Sequence, residues 1–147
     1  MIDQIPATPA QPKHRPVTNE SAHELYEYIF APWVKAMGLI DLQVAKGVAS
    51  ARLPQSRELQ WANGAICGQA IMAAIDTVVA MAIGTGDRQA KGTASQHTQF
   101  LRPAAGDDLK IDAHVLQFGA TIAYAEAHVT FASSGKLVAH ATAEFVY

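Results

Sequence analysis

The chain has one cysteine, Cys67, no strong excess of either charge, few aromatic residues and no apolar run of bilayer length. Each shortage excludes something. A single cysteine cannot close a disulfide within the chain, so the expected setting is a reducing compartment, the cytoplasm. A formal net charge of −2 leaves no basic surplus to neutralise a phosphate backbone, and no nucleic-acid partner is expected. The longest apolar stretch, Ala70 to Ile83, is interrupted by Asp76 and Thr77 and is too short to span a bilayer, so no membrane partner is expected either. The first residues lack the hydrophobic segment of a signal peptide and are punctuated by Pro6, Pro9, Pro12 and Pro16. Residues 1–17 read as a flexible arm, or one that lies extended along a neighbour.

What is present suits one globular domain. Half of the 147 residues are apolar and 16% are charged, enough for a sizeable core over residues 18–147. Ser21 and Glu24 have the spacing of a capping box, and Leu25 and Ile29 give the helix that follows an apolar stripe. Pro32 should end that helix at Ala31 and open a short turn to Met37, with Gly38 as the stop. Leu39 to Leu53 reads as extended, with Gly47 as a bulge or twist point, and Pro54 to Ala62 as loop. Gly68 to Ile83 is the strongest helix, rich in Ala, Met and Ile, followed by Gly84 and Gly86. Four strands follow, at Gly92–Leu101, Leu109–Gln117, Thr121–Ala132 and Leu137–Tyr147; the last three alternate apolar and polar residues. This order predicts an α+β architecture, an antiparallel sheet curling around a helix that is apolar nearly all round.

Asp76 is the only ionisable group between Gly68 and Ile83. A carboxylate within an apolar helix is costly unless paired, hydrated or neutralised. Its neighbours on the same face, Met72, Ala73, Val79 and Ala80, cannot partner it. A partner from another element, or water, is required. A structural Asp bonded to a backbone amide is the competing reading. Gly64 and Gly68 flank the helix entrance, where free N–H groups and partial positive charge can hold a developing oxyanion; a plain loop-to-helix junction looks the same in sequence. Thr93, Ser95, His97 and Gln99 fall on one face of the third predicted strand, and Ala94, Gln96 and Thr98 on the other. Neither face is apolar, which marks an edge strand or one beside water. His114, His128 and His140 lie on separate strands with no metal-ligand spacing and read, with Asp112, Glu126 and Glu144, as a wet face, a cluster across the strands being the competing reading; no metal is expected. Neither a phosphate loop nor a dinucleotide fingerprint is present.

The run Asn63-Gly64-Ala65-Ile66-Cys67-Gly68-Gln69, followed by Asp76, resembles the active-site entrance of the phenylacetate-type thioesterases of the hotdog-fold superfamily. Those carry a G-x-x-H-G-G loop entering the central helix, with an Asp or Glu eight residues after the first Gly of the pair. Phe100-Leu101-Arg102-Pro103 with Gly106-Asp107, then Gly119 and Gly135-Lys136-Leu137-Val138-Ala139, extend the likeness over residues 36–147. The resemblance implies a hotdog fold and hydrolysis of an acyl-CoA thioester. It makes Asp76 the nucleophile or general base, and the Gly68 N–H, with that of Gln69, the oxyanion donor. Thr93 is implied to reach in from the partner subunit and, with Asn63, to place the water. Cys67 and Ser95 join the substrate-contacting set. It further implies a homodimer or dimer of dimers, and no cofactor beyond the CoA of the substrate.

Three positions depart from the family pattern. Cys67 stands where the loop His belongs, Gln69 replaces the second Gly, and Trp61 occupies the place of an Asn or Gln. Asn63 is two residues from that place. A lone thiol without an identified His base reads more readily as a small packed residue than as a nucleophile. These departures keep a second reading open, a non-catalytic acyl-CoA binding or regulatory domain. Hydration or dehydration of an acyl thioester ranks behind both, since those relatives use a His and none stands near the helix entrance.

Overall fold

The computed structural model describes residues 13–147. The predicted arm therefore lies largely outside the described residues. Its last part follows the end of the long helix: the Val17 N–H donates to the Gly84 carbonyl at 2.8 Å, and His14 Nε2 lies 2.9 Å from the Gly86 carbonyl.

Helix α1 spans Ala22–Ile29. The Ser21–Glu24 box is not what starts it. The Thr18 N–H donates to Ser21 Oγ at 3.0 Å and the Ser21 N–H donates to Thr18 Oγ1 at 3.3 Å, a reciprocal pair one turn earlier. Pro32 then opens α2 (Pro32–Lys35) as its first residue, and Gly38 follows with a left-handed φ of 81°.

Leu39 to Leu53 is not one extended segment. It folds back as a hairpin of β1 (Ile40–Ala45) and β2 (Val48–Leu53). Gly47 supplies the positive φ, 74°, that a two-residue connection requires, so it serves as a turn and not a bulge. The turn is anchored on both sides. The Gly47 N–H donates to Thr85 Oγ1 at 2.8 Å and the Gly47 carbonyl accepts from the Val115 N–H at 2.7 Å.

The long helix α3 runs Gly68–Gly84, one residue past its expected end. The remaining strands are β3 (Gly92–Phe100), β4 (Leu109–Phe118), β5 (Ile122–Phe131) and β6 (Leu137–Val146). All six strands form one antiparallel sheet in the order β1-β2-β4-β5-β6-β3. Period-two alternation puts Leu109, Ile111, Ala113 and Val115 of β4, with Ala123, Ala125, Ala127 and Val129 of β5, on the buried face. Ala139, Ala141, Ala143 and Phe145 of β6 continue it. The many alanines let α3 approach the sheet closely. Ile75, Val78, Val79 and Met81 of α3 are fully buried there, each stabilising the fold by about 1.5–3 kcal/mol. This is the α+β hotdog arrangement that the resemblance implies. Among the described residues no helix is long and apolar enough to cross a membrane.

Candidate active site

One stripe of α3 escapes the core. Gln69 and Met72 are exposed, and Ala73, Asp76 and Ala80 are half-buried. Their three-and-four spacing puts them on a single helical face. Edge strand β3, paired among the described residues with β6 alone, flanks that face.

Thr93 meets the helix there. Its hydroxyl donates to Asp76 Oδ1 at 2.6 Å, the short distance of a charge-assisted bond. Both side chains belong to one chain, which corrects the expectation that Thr93 reaches Asp76 from a partner subunit. The reason is register. Thr93 pairs with Phe145, and the next paired residue, Ser95, sits opposite Glu144, so Ala94 is an extra residue in β3. A bulge of one residue inverts the alternation beyond it. Thr93, Gln96, Thr98 and Phe100 therefore share the helix-facing side, opposite Phe145, Ala143, Ala141 and Ala139. Ser95, His97 and Gln99 turn to the other face. Ser95 is accordingly not beside Asp76, and its expected place among the substrate contacts is corrected.

The helix-facing side of β3 holds residues that the sequence reading missed. Gln96 Nε2 donates to the Met72 carbonyl at 3.3 Å and to Thr98 Oγ1 at 2.9 Å. Phe100 covers the start of α3: a methyl group at Gly68 would lie 3.2 Å from Phe100 Cζ. Glycine at this position keeps the ring against the helix entrance. With both faces of β3 polar, only an apolar residue at its end, Phe100, signalled which side faces inward.

The entrance is held from two sides. The Cys67 N–H donates to the Leu59 carbonyl at 2.8 Å, and the Ile66 N–H to the Ala104 carbonyl at 3.0 Å. Gln55 Nε2 also donates to Ala104 O and Asp107 O. Asp107 and Asp108 fix this turn. Backbone N–H donation from Ser133 is the main cause holding the Asp107 carboxyl below its ordinary range, and that from Gln55, followed by Arg52, does the same for Asp108. Asn63 is engaged locally, its Oδ1 accepting the Ala65 N–H at 3.1 Å. Cys67 is the residue before the first turn of α3, and no side chain caps that turn. The Gly68, Gln69 and Ala70 amides thus have no acceptor among the described residues. The structure brings Asp76 and Thr93 together and leaves Gly68 and Gln69 at the far end of the same stripe. Eight residues of helix separate the Gly68 amide from Asp76 by about 12 Å.

A cavity of about 820 Å³ lies beyond the pair, lined by neither Asp76 nor Thr93. Leu25 and Ile29 of α1, Ala80 and Ile83 of α3, and Phe145 of β6 give it apolar walls, and Lys13, Arg15 and Glu24 stand at its charged side. Ala80 lies one turn beyond Asp76, and Gly92, also in the lining, directly precedes Thr93.

A hotdog sheet with an open helix entrance and a carboxylate–hydroxyl pair on the exposed helical stripe assigns the chain to a fold. Comparison makes the assignment specific. The Thioesterase superfamily profile matches residues 63–139, from the helix entrance to β6. Human acyl-coenzyme A thioesterase 13 is 30% identical over 108 residues, which cover 71% of this chain and 77% of that protein. A conserved Pseudomonas aeruginosa protein of solved structure superposes with a TM-score of 0.73 at 27% identity, over 82% of this chain and 96% of the other. The E. coli PaaI protein from the phenylacetic acid degradation operon superposes with the same TM-score at 21% identity, over 88% and 95% of the two chains. The chain belongs to the thioesterase superfamily.

Proposed function

We propose that the protein hydrolyses an acyl-CoA thioester to the free acid and CoA at a site completed by two copies of the chain. The observation that carries this reading is the Thr93–Asp76 hydrogen bond on the open stripe of α3. It holds one carboxylate oxygen and leaves Oδ2 to act. In the reaction, Oδ2 takes a proton from water as the water oxygen attacks the thioester carbon, or attacks that carbon directly. The carbonyl oxygen gains negative charge and is held by backbone N–H groups. Collapse breaks the C–S bond: in the water route the CoA sulfur leaves as the thiol with the proton that Asp76 took, and in the direct route solvent protonates the thiolate and water then hydrolyses the mixed anhydride left on Asp76 to the free acid.

Distance decides which amides take part. An oxyanion donor must lie about 3 Å from the carbonyl oxygen, and the attacking atom roughly 3–3.5 Å from its carbon. Those reaches sum to well under the about 12 Å that separates Gly68 from Asp76 along one helix. That separation favours a carbonyl held between amides of one chain and the carboxylate of another. Two copies related by a two-fold axis, with their α3 helices antiparallel, place Gly68 and Gln69 of one beside Asp76 and Thr93 of the other. Asn63 and Cys67 come with the amide-bearing entrance. The apolar walls of the cavity beyond Asp76 suit the acyl group, and the polar run Thr93, Gln96 and Thr98 suits the thioester end.

The test is release of free thiol from a panel of acyl-CoAs by the wild type and by Asp76→Asn. Turnover should fall roughly 100- to 10,000-fold in the variant. Equal turnover would remove Asp76 from the chemistry. The Cys67, Gln69 and Trp61 departures favour a second reading, a binding domain. Tight binding of a non-hydrolysable acyl-CoA with no turnover on any thioester would select it.

A further inference from the structure

The opposite face of the sheet carries a second constellation. In the pairing register, Glu126 and His128 are alternate residues of β5, and His128 stands directly opposite His140 of β6. Both positions pair outward, away from the α3 face whose residues are Ala125, Ala127, Ala139 and Ala141. His140 Nε2 lies 3.3 Å from Glu126 Oε2, and the two imidazole rings have centroids 4.8 Å apart. One ligand atom from each of the three residues falls within a 4.8 Å span. Glu126 and His140 are half-buried, with side-chain exposures of 29% and 31%.

We infer that Glu126, His128 and His140 form a binding site for a divalent transition-metal ion of the zinc group. The chemistry of the donors selects the ion. Two imidazole nitrogens and one carboxylate oxygen are borderline ligands that suit zinc, cobalt, nickel and copper and leave magnesium and calcium poorly served. Three donors leave a tetrahedral position for water. Zinc–ligand bonds near 2.0–2.2 Å put tetrahedral donors about 3.4 Å apart, so donors now within 4.8 Å of one another would draw together by about an ångström on binding an ion. The backbone is already rigid, because both strands lie inside the sheet, β5 between β4 and β6 and β6 between β5 and β3. Outer groups are in place as well. Asp112 is the β4 register partner of His128 and His114 that of Glu126; the Asp112 carboxylate lies 3.3 Å from Lys110 Nζ, and a side-chain rotation would bring it to the second imidazole N–H of His128. His128 is exposed, as a wet face requires, and the register favours the competing reading of a cluster across the strands. The sheet lies between this site and Asp76, so the ion would act on assembly or stability and not in hydrolysis.

The test uses the full chain, freed of metal by chelation and titrated with Zn²⁺ by calorimetry and with Co²⁺ by visible absorption. The wild type should take up one ion per chain, with cobalt bands of a four-coordinate site, and its thermal midpoint should rise with Zn²⁺. His140→Gln and His128→Gln should each weaken affinity at least tenfold and remove the cobalt bands. His23→Gln, on α1, should leave both unchanged. Circular dichroism confirms that each variant is folded. No saturable uptake by the wild type, or uptake of equal affinity in His128→Gln and His140→Gln, would overturn the site. Thiol release measured on the same samples keeps this result separate from the hydrolytic proposal.

Discussion

The Thr93 hydroxyl and the Asp76 carboxylate, 2.6 Å apart across the β3–α3 boundary of a single chain, form one bonded unit. The hydroxyl donates, so it fixes the carboxylate rotamer and occupies Oδ1. Replacing Thr93 by Val keeps the shape and removes the donor. Turnover should fall about tenfold, less than for Asp76→Asn, because positioning is lost and the base is kept. Thr93→Ser restores a donor at the same reach and should recover most of the rate. Steady-state kinetics on one acyl-CoA separate the three variants. Val and Ser behaving alike would show that the hydrogen bond has no part in turnover.

A complementation experiment distinguishes a shared site from one within a chain. Gly68 is the first residue of α3, where proline is accepted and removes the N–H. Cys67 before it has φ −69° and ψ 152°, the conformation that a following proline requires. The edge of the Phe100 ring must give by a few tenths of an ångström. Gly68→Pro and Asp76→Asn should each be nearly inactive alone. Co-expressed in equal amounts, half of the dimers are mixed, and each mixed dimer holds one intact site. Activity should return to roughly a quarter of wild type. Mixed samples as inactive as either parent would rule out the two-copy arrangement.

Burial of Tyr26 leads to a stability prediction. Its hydroxyl is buried without a hydrogen-bond partner among the described residues, while its ring packs on Phe30 at 5.4 Å. An unpaired buried hydroxyl costs about 1–3 kcal/mol, so Tyr26→Phe should stabilise the fold by roughly 1 kcal/mol. Desolvation, then Glu27, raises the Tyr26 pKa above its ordinary 10.0. The folded chain therefore favours the neutral phenol, and this contribution is complete below pH 10 and lost as pH rises through the folded value. The gap between variant and wild type should widen in alkali. Denaturant titration at neutral and alkaline pH measures both effects.

How legible the molecule was depends on whether a hydrophobic phase marked each element. The apolar content of Gly68 to Ile83 and the alternating alanines of β4 to β6 bury whole faces, so helix, strands and α+β class follow from sequence. At Gly47 the same residue signals a bulge or a turn, and only pairing of β1 with β2 decides. β3 has no apolar phase, so the extra residue Ala94 leaves no trace in sequence, and Ser95 was placed on the wrong side. Asp76 stands out in sequence because a charge in an apolar helix is conspicuous. Its partner Thr93 was identified, but the chain it comes from required coordinates. His128 and His140 meet only through register.

The acid end of the stability profile is set at the turn that supports the helix entrance. Asp108 Oδ1 accepts the Gln55 N–H at 2.9 Å, and its Oδ2 accepts from Arg52 Nε at 2.9 Å and lies 2.7 Å from Arg52 Nη2. These bonds, the Gln55 amide first, hold its carboxyl below the ordinary 3.8. A depressed folded value means that the stabilisation is present above the ordinary carboxylate range and disappears as pH falls below it, through the folded value. The thermal midpoint should therefore drop between pH 5 and pH 2, and Asp108→Asn should lower the midpoint at pH 7 and flatten that drop. Salt should weaken only the Arg52 share, because that pair is partly exposed and the Gln55 amide carries no net charge. Gln55 also holds the Ala104 carbonyl that accepts the Ile66 N–H beside the Gly68 amide. Loosening this turn should raise KM for acyl-CoA before the chain unfolds. Kinetics and thermal melts on the same pH series would show it, and an unchanged KM in Asp108→Asn would confine the turn to stability.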